Sequence, residues 1–289
     1  MQIDYAFILA AGKGTRMGDI GKFLPKPMWP IFNKTLLELQ LKYCHDLGVK
    51  KVFINTHYLA DSIRSFISLN KFSVEVIELF EPILLDSGGA IHNLAQHKDV
   101  NYKGNVILIN ADQFLLFNKE QIHNSLLSLE NNRACLFGIK VEAKSSYNEL
   151  KIENSLLTAI EKNDGTKEYV TYSGLGLLKL DGLKKVSGIS RFFETVADFK
   201  HESITISVPT NYEYWDFGTA KIYHENILKI TELVSLKQKN MLIEFLMKHN
   251  ALDENYRKFC SAENKSIDLE GRERFQSGSI TWQENVQKV

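Results

Sequence analysis

Phe7-Ile8-Leu9-Ala10-Ala11-Gly12-Lys13-Gly14-Thr15-Arg16-Met17-Gly18, followed after six intervening residues by Pro25-Lys26-Pro27-Met28, is the stretch on which the fold turns. An apolar run breaks abruptly at Gly12, as a buried parallel strand does when it ends in a tight loop. Gly12, Gly14 and Gly18 carry no side chain, so the loop's backbone N–H groups can approach an anion closely. Arg16 lies inside the loop. Pro25 and Pro27 each fix φ and push the preceding residue towards an extended shape, which displays Lys26 from a stiff arm. A glycine loop, a fork-shaped cation and a rigidly presented point charge suit a polyphosphate.

Two other glycine-loop readings fit poorly. A dinucleotide-binding fingerprint needs a different third-glycine spacing and an acidic residue at the end of the second strand, where this chain has Asn55. A Walker A loop needs Gly-Lys-Ser/Thr after four spacer residues, which Gly12-Lys13-Gly14 does not supply.

Outward from the loop, short apolar strands alternate with helical patterns. Residues 5–10, 51–55, 73–79 and 105–110 read as strands, and 35–47, 59–68 and 87–96 as helices, with Gly48 placed to cap the first helix. This alternation predicts a doubly wound α/β domain with right-handed crossovers. Ligands in such folds sit beyond the carboxyl ends of the strands, where the first and fourth strands lead to Gly12 and Asp112. From 134 onward the pattern becomes strand-like, at 135–141, 149–152, 156–161 and 171–178, which predicts a mixed sheet and a β-rich lobe. A helix is expected over 190–199, and 204–209 and 214–217 bring the chain back to the site. Residues 222–248 read as one helical stretch, and the polar tail 262–289 as loosely ordered. The division expected is 1–222 and 223–289, with the extension packed on its own domain or building a homodimer; packing is favoured.

The chain has 289 residues, 44% apolar and 24% charged, with a net charge of zero. Zero net charge predicts no bulk attraction to nucleic acid or an anionic membrane, so phosphate binding must come from local cations. Three cysteines, Cys44, Cys135 and Cys260, form no metal-ligand spacing and no disulfide framework, which fits a reducing cytoplasm. No secretory leader is read at the N-terminus, and no apolar run approaches the ~20 residues that span a bilayer. The eight histidines show no tight cluster, and His92 and His97 are off helical register for zinc.

The opening stretch resembles the signature of the sugar-1-phosphate nucleotidyltransferases, L-A-x-G-x-G-x-R followed by P-K-P. Both halves are present and the interval from Arg16 to Pro25 fits. The resemblance covers about residues 3–225. It implies a Rossmann-like doubly wound mixed sheet of the nucleotide-diphospho-sugar transferase (GT-A-like) type, with a β-rich sugar-binding lobe and here a C-terminal helical extension. It implies that the phosphate of a sugar 1-phosphate attacks the α-phosphorus of an NTP and pyrophosphate leaves. By the same resemblance Arg16 holds the β- and γ-phosphates and Lys26 the α-phosphate. Asp112 and Asp216, the latter in Asp216-Phe217-Gly218-Thr219, grip one Mg²⁺. Leu9, Ala11, Gly12, Gly14, Thr15, Asn55, Asp86, Ser87, Gly88 and Gly89 line the nucleotide. Asn110, Glu161, Lys162 and Gly174 serve the sugar phosphate. His57 lies near the expected base pocket.

Two positions depart from the family pattern: Ala111, where relatives usually have Gly, and Asp19-Ile20-Gly21, where many have Pro-Leu-Thr. The absence of a hexapeptide repeat argues against the β-helical acyltransferase domain of some relatives. Leu84-Leu85-Asp86-Ser87-Gly88-Gly89 with Asn55-x-His57 resembles the branch that makes UDP-N-acetylmuramic acid. Pro25-Lys26-Pro27-Met28 also resembles mannose- and heptose-1-phosphate guanylyltransferases. UTP and GTP are the donors these imply. A phosphocholine cytidylyltransferase and a regulatory subunit without catalysis are the alternatives.

Overall fold

The computed structural model describes residues 3–17, 19–97 and 104–260, together with 265–267, 273–275 and 278–280. Gly18 and most of the polar tail expected over 262–289 lie outside the described residues.

The chain opens with β1 (Tyr5–Leu9), whose middle residues are buried, and passes through the glycine loop into a small hairpin, β2 (Pro30–Ile31) and β3 (Lys34–Thr35). Helix α1 (Leu36–Asp46) begins where the Thr35 side chain accepts the Glu38 N–H at 3.1 Å. It ends before Gly48, whose φ of 88° suits a residue without Cβ. β4 (Lys51–Thr56), α2 (Ala60–Leu69), β5 (Glu75–Phe80), α3 (Asp86–Gln96) and β6 (Asn105–Asn110) complete the alternating half. Then come β7 (Gln113–Phe117), α4 (Lys119–Ser128), β8 (Ala134–Val141), β9 (Asn148–Glu153), β10 (Leu156–Lys162) and β11 (Tyr169–Lys179). The last third holds α5 (Phe192–Thr195), β12 (Ile204–Ser207), β13 (Tyr212–Asp216), α6 (Ala220–Ser235), α7 (Met241–Lys248) and α8 (Glu254–Cys260). In the tail, β14 (Lys265–Ile267), β15 (Glu273–Phe275) and β16 (Gly278–Ile280) pair antiparallel.

One nine-stranded sheet runs in the order β5-β4-β1-β6-β11-β8-β12-β10-β9. β5, β4, β1 and β6 are mutually parallel; β11 joins β6 antiparallel and makes the sheet mixed. The strand-rich half continues this sheet, and a separate ribbon of β7 and β13 stands apart from it. Side chains alternate across the sheet with the strand period of two. Ala6 and Ile8 share one core with α1 and the C-terminal helices, while Phe7 shares another with α3 and α5. Helices α1 and α2 therefore cover one face and α3 the other, so the winding reverses between β1 and β6. A crevice opens beyond the carboxyl ends of strands at such a reversal.

Two helical expectations change. The helix expected over 190–199 is the four residues Phe192–Thr195. The single stretch expected over 222–248 is two helices, broken where Lys237 takes φ 52° and Asn240 caps α7 by accepting the N–H groups of Leu242 and Ile243. Both helices pack onto the sheet domain. Tyr223, Ile227, Ile230, Leu242 and Phe245 belong to the same core as Trp29, Tyr43 and Phe114.

Candidate active site

The carboxyl ends of two strands meet at the winding reversal. β1 delivers Leu9 and the glycine loop, and β6 delivers Asn110, Ala111 and Asp112. A hollow of about 230 Å³ is lined by Leu9, Gly12, Arg16, Lys26, Asn110 and Asp112, among others. Arg16 stands in the short turn Thr15–Met17 and is exposed, as are Gly12 and Thr15, while Ala11 is buried. Gly14 takes φ 62°, the left-handed backbone that the loop's turn requires.

Lys26 follows Pro25, which is extended at φ −65°, ψ 143°, and its ammonium forms an ion pair with Asp112 Oδ2. Asp216 arrives from β13, paired in register with Gln113 of β7. The Phe217 N–H donates to the Asp112 carbonyl at 2.8 Å and ties the two aspartate segments together. The Gly218 N–H donates to Asp216 Oδ1 at 2.7 Å. A Cβ built on Gly218 would lie 2.8 Å from Asp216 Oδ1 and 2.9 Å from Asp112 Oδ2. Both carboxylates thus converge on one point beside a residue that has to be glycine. Among the described residues no cluster of three His, Cys, Asp or Glu forms a metal cage. Two carboxylates still suit Mg²⁺, which usually takes one or two and completes its shell with phosphate and water oxygens.

Around Asp216 the structure adds Gln113 and Tyr147, which the sequence did not single out. Asn110 Nδ2 donates to Gln113 Oε1 at 2.7 Å, and Gln113 Nε2 donates to Asp216 Oδ2 at 3.4 Å. The Tyr147 hydroxyl also donates to Asp216 Oδ2. Burial, and then the Asp216 carboxylate, hold the Tyr147 phenol well above its ordinary range, so it stays a donor. Gly174, at φ 83°, leaves room for the amide pair: a Cβ there would lie 2.1 Å from Gln113 Oε1 and 2.6 Å from Asn110 Nδ2.

A second hollow, of about 390 Å³, adjoins the first through Leu9 and Asn110, and is walled by Asp86, Ser87, Tyr172 and Phe192 among others. Asp86 takes φ 60° and its carboxylate accepts the Ser87 N–H at 2.6 Å.

Three sets of expected site residues are placed as follows. Gly88 and Gly89 face the backbone of 188–191: Cβ atoms there would lie 2.6 Å from Ser190 and Arg191 carbonyl oxygens and 2.4 Å from that of Gly188. Their missing side chains serve the packing of α3 against this segment. The Asn55 amide is spent within the protein, accepting from Ala10 N at 2.7 Å and donating to Glu81 at 2.8 Å. Glu161 and Lys162 stay exposed on β10, where Glu161 lies 3.8 Å from Lys151 Nζ. Lys162 pairs in register with Asn148, next to Tyr147, and this is how β10 approaches the aspartates.

The nucleotidyl transferase family model matches residues 5–181. The D-glycero-α-D-manno-heptose 1-phosphate guanylyltransferase of Campylobacter jejuni is 28% identical over 177 residues, 61% of this chain and 76% of that protein. A UTP–glucose-1-phosphate uridylyltransferase of Synechocystis is 38% identical over 82 residues, 28% of this chain and 21% of that protein. The crystal structure of HddC from Yersinia pseudotuberculosis complexed with GMP-PN superposes with a TM-score of 0.64 at 25% identity. The match covers 78% of this chain and 99% of that one. With the family model spanning most of the chain and both of its sequence hallmarks lying at the crevice, the chain belongs to the nucleotidyl transferase family.

Proposed function

We infer that this chain transfers a nucleoside monophosphate from an NTP to a sugar 1-phosphate, releasing pyrophosphate and forming an NDP-sugar. The observation that carries the reading is the meeting of Asp112, Asp216 and Lys26 opposite the glycine loop and Arg16. Joining two phosphates needs cations to offset repulsion and in-line positioning more than it needs acid–base groups. Asp112 and Asp216 would hold Mg²⁺, which when bound offsets the charge of the reacting phosphates. Lys26, freed from Asp112, serves the α-phosphate, and Arg16 serves the distal phosphates. The Gly12 and Gly14 backbone lets the triphosphate lie close. The second hollow, walled by Asp86 and Ser87, takes the base and ribose, with Asn110 at the shared wall serving the sugar phosphate and Tyr147 and Gln113 holding Asp216 in place.

GTP is our first choice of donor, since the heptose-1-phosphate relative is named a guanylyltransferase and the HddC structure holds a guanosine phosphate analogue. UTP is the second choice. All of these groups come from one chain. A homodimer through the C-terminal helices would use Leu228, Leu236 and Met247, which remain exposed there. No helix among the described residues is long and apolar enough to cross a membrane, and NTP as a substrate fits work in the cytoplasm.

The test is pyrophosphate release with Mg²⁺ across ATP, GTP, CTP, UTP and dTTP, each with a panel of sugar 1-phosphates and phosphocholine. Release that requires one triphosphate and one sugar 1-phosphate is expected. Release only with phosphocholine, or triphosphate binding with no release for any acceptor, overturns the reading.

A further inference from the structure

The two walls of the nucleotide cleft are joined by a hydrogen-bond chain whose donors converge from both ends on Glu81. It starts at the Ala10 N–H, on the way into the glycine loop, which donates to Asn55 Oδ1 at 2.7 Å. A backbone N–H can only donate, so the Asn55 oxygen faces Ala10 and its NH₂ group faces away. That NH₂ donates to Glu81 Oε1 at 2.8 Å, and Glu81 Oε2 accepts the Leu85 N–H at 3.1 Å. Glu81 therefore receives a donor on each oxygen, as an ionised carboxylate does.

Neither side chain can meet a ligand directly, since Glu81 is 0% exposed and Asn55 4%. No Lys or Arg among the described residues pairs with Glu81; His57 Nδ1 lies 2.9 Å from its carbonyl oxygen. A buried carboxylate without a cation is costly. Burial raises the Glu81 pKa, and the bonds from Asn55 and Leu85 act against that rise. What the chain spans is informative. One end holds the first residue beyond β1. The other closes the loop 81–85 just before Asp86, whose left-handed φ of 60° sets the start of α3 and one wall of the second hollow.

We propose that Glu81 and Asn55 are positioning residues for the nucleoside triphosphate, fixing the distance between the phosphate loop and the 81–86 loop through this chain of donors converging on Glu81. The proposal rests on the reading of the cleft as an NTP site and goes beyond it, because neither residue touches substrate.

The polarity supplies the test. In Glu81→Gln, one of the two donors meets an NH₂ group. In Asn55→Asp, two carboxylates face each other. In the double variant, the carboxylate at 55 accepts from Ala10 and from the amide at 81, whose oxygen accepts from Leu85, so every bond returns with the charge moved one step. Binding of Mg-GTP and Mg-UTP to the full chain is measured with no acceptor, together with Tm, kcat and both KM values. Each single variant is expected to weaken triphosphate binding about ten-fold, the worth of one bond to a charged group, and the double variant to return within about three-fold of the parent. The KM for the sugar 1-phosphate should stay unchanged. The proposal is overturned if the single variants bind triphosphate like the parent, if the double variant is no better than the worse single, or if losses appear only in Tm and kcat. It is overturned too if the parent binds no triphosphate. Failure of the transfer reading registers separately, as triphosphate binding by the parent without pyrophosphate release.

Discussion

A methyl group on residue 218 would touch both aspartates at once, at 2.8 Å and 2.9 Å, closer than side-chain carbons approach oxygen. Gly218→Ala must therefore displace Asp112, Asp216 or both while leaving the surrounding core intact. Turnover is expected to fall by about 10²–10³, the usual cost of losing one well-placed electrostatic group, with a raised Mg²⁺ requirement and a Tm near the parent's. Steady-state rates across a Mg²⁺ titration check this; an unchanged rate would show that the two carboxylates do not act together. Lys26 makes a sharper case, because two quantities move in opposite directions. In the free protein its ammonium neutralises Asp112. Lys26→Met removes that competitor, so Mn²⁺ binding to the nucleotide-free protein, read by electron paramagnetic resonance, should tighten. Turnover should fall by about 10²–10³. Lys26, Asp112 and Asp216 were legible in the sequence because each lies in a local motif. Gln113 and Tyr147 were not: what they do depends on β7 pairing with β13 and on where β9 begins, which no local spacing encodes.

The alternating half of the fold was readable for a physical reason: buried parallel strands are short apolar runs, and their helices carry caps such as Thr35 and Gly48. Elements whose form depends on a distant partner were less so. Segment 190–199 has the composition of a helix, yet Ser190 is clasped to the start of α3 by the Gly89 N–H to Ser190 O and the Ser190 N–H to Leu85 O, both at 3.0 Å. Only four helical residues follow it. That clasp predicts an acid sensitivity. His92 of α3 is buried, its Nε2 has no hydrogen-bond partner, and burial holds its pKa below the ordinary value, with a backbone hydrogen bond to Thr195 opposing the shift. The folded chain therefore keeps His92 neutral at a pH where the unfolded chain already binds a proton. This contribution to stability is complete above the ordinary histidine pKa and is lost as pH falls through the folded value. Thermal melts from about pH 7.5 to about pH 5.5 should show Tm falling, and His92→Gln should flatten the fall. An equal slope in the variant would place the sensitivity elsewhere.

At the scale of the whole molecule, the C-terminal helices decide whether the site ribbon stays in place. Phe245 of α7 meets Tyr43 of α1 and Phe114 of β7, with ring centroids 6.3 Å and 6.1 Å away, and Phe114 in turn meets Phe217 beside Asp216. Further along, Lys248 and His249 both bond Asp46 Oδ2, at 2.7 Å and 2.8 Å, and the Asn33 N–H reaches Ala251 O at 3.1 Å. The β7–β13 ribbon pairs with no strand of the large sheet, so its position rests on this aromatic stack together with hydrogen bonds such as Gln40 Nε2 to Gln113 O at 2.7 Å, the Tyr43 hydroxyl to Leu115 O at 2.6 Å and the Lys140 N–H to the Tyr212 hydroxyl at 2.8 Å. Removing the Phe245 ring leaves a cavity between α7, α1 and the ribbon. Phe245→Ala is expected to lower unfolding stability by about 3–5 kcal/mol in denaturant melts. A packing role within one chain requires that loss to be independent of protein concentration, since no second copy enters the equilibrium. A dimer built on the same face predicts the opposite, a midpoint that climbs with concentration in the parent and loses that dependence in the variant. Melts at two concentrations a hundred-fold apart separate the two. Coincident midpoints would assign α6 to α8 to the stability of the ribbon that carries Gln113 and Asp216; midpoints that diverge would assign them to assembly.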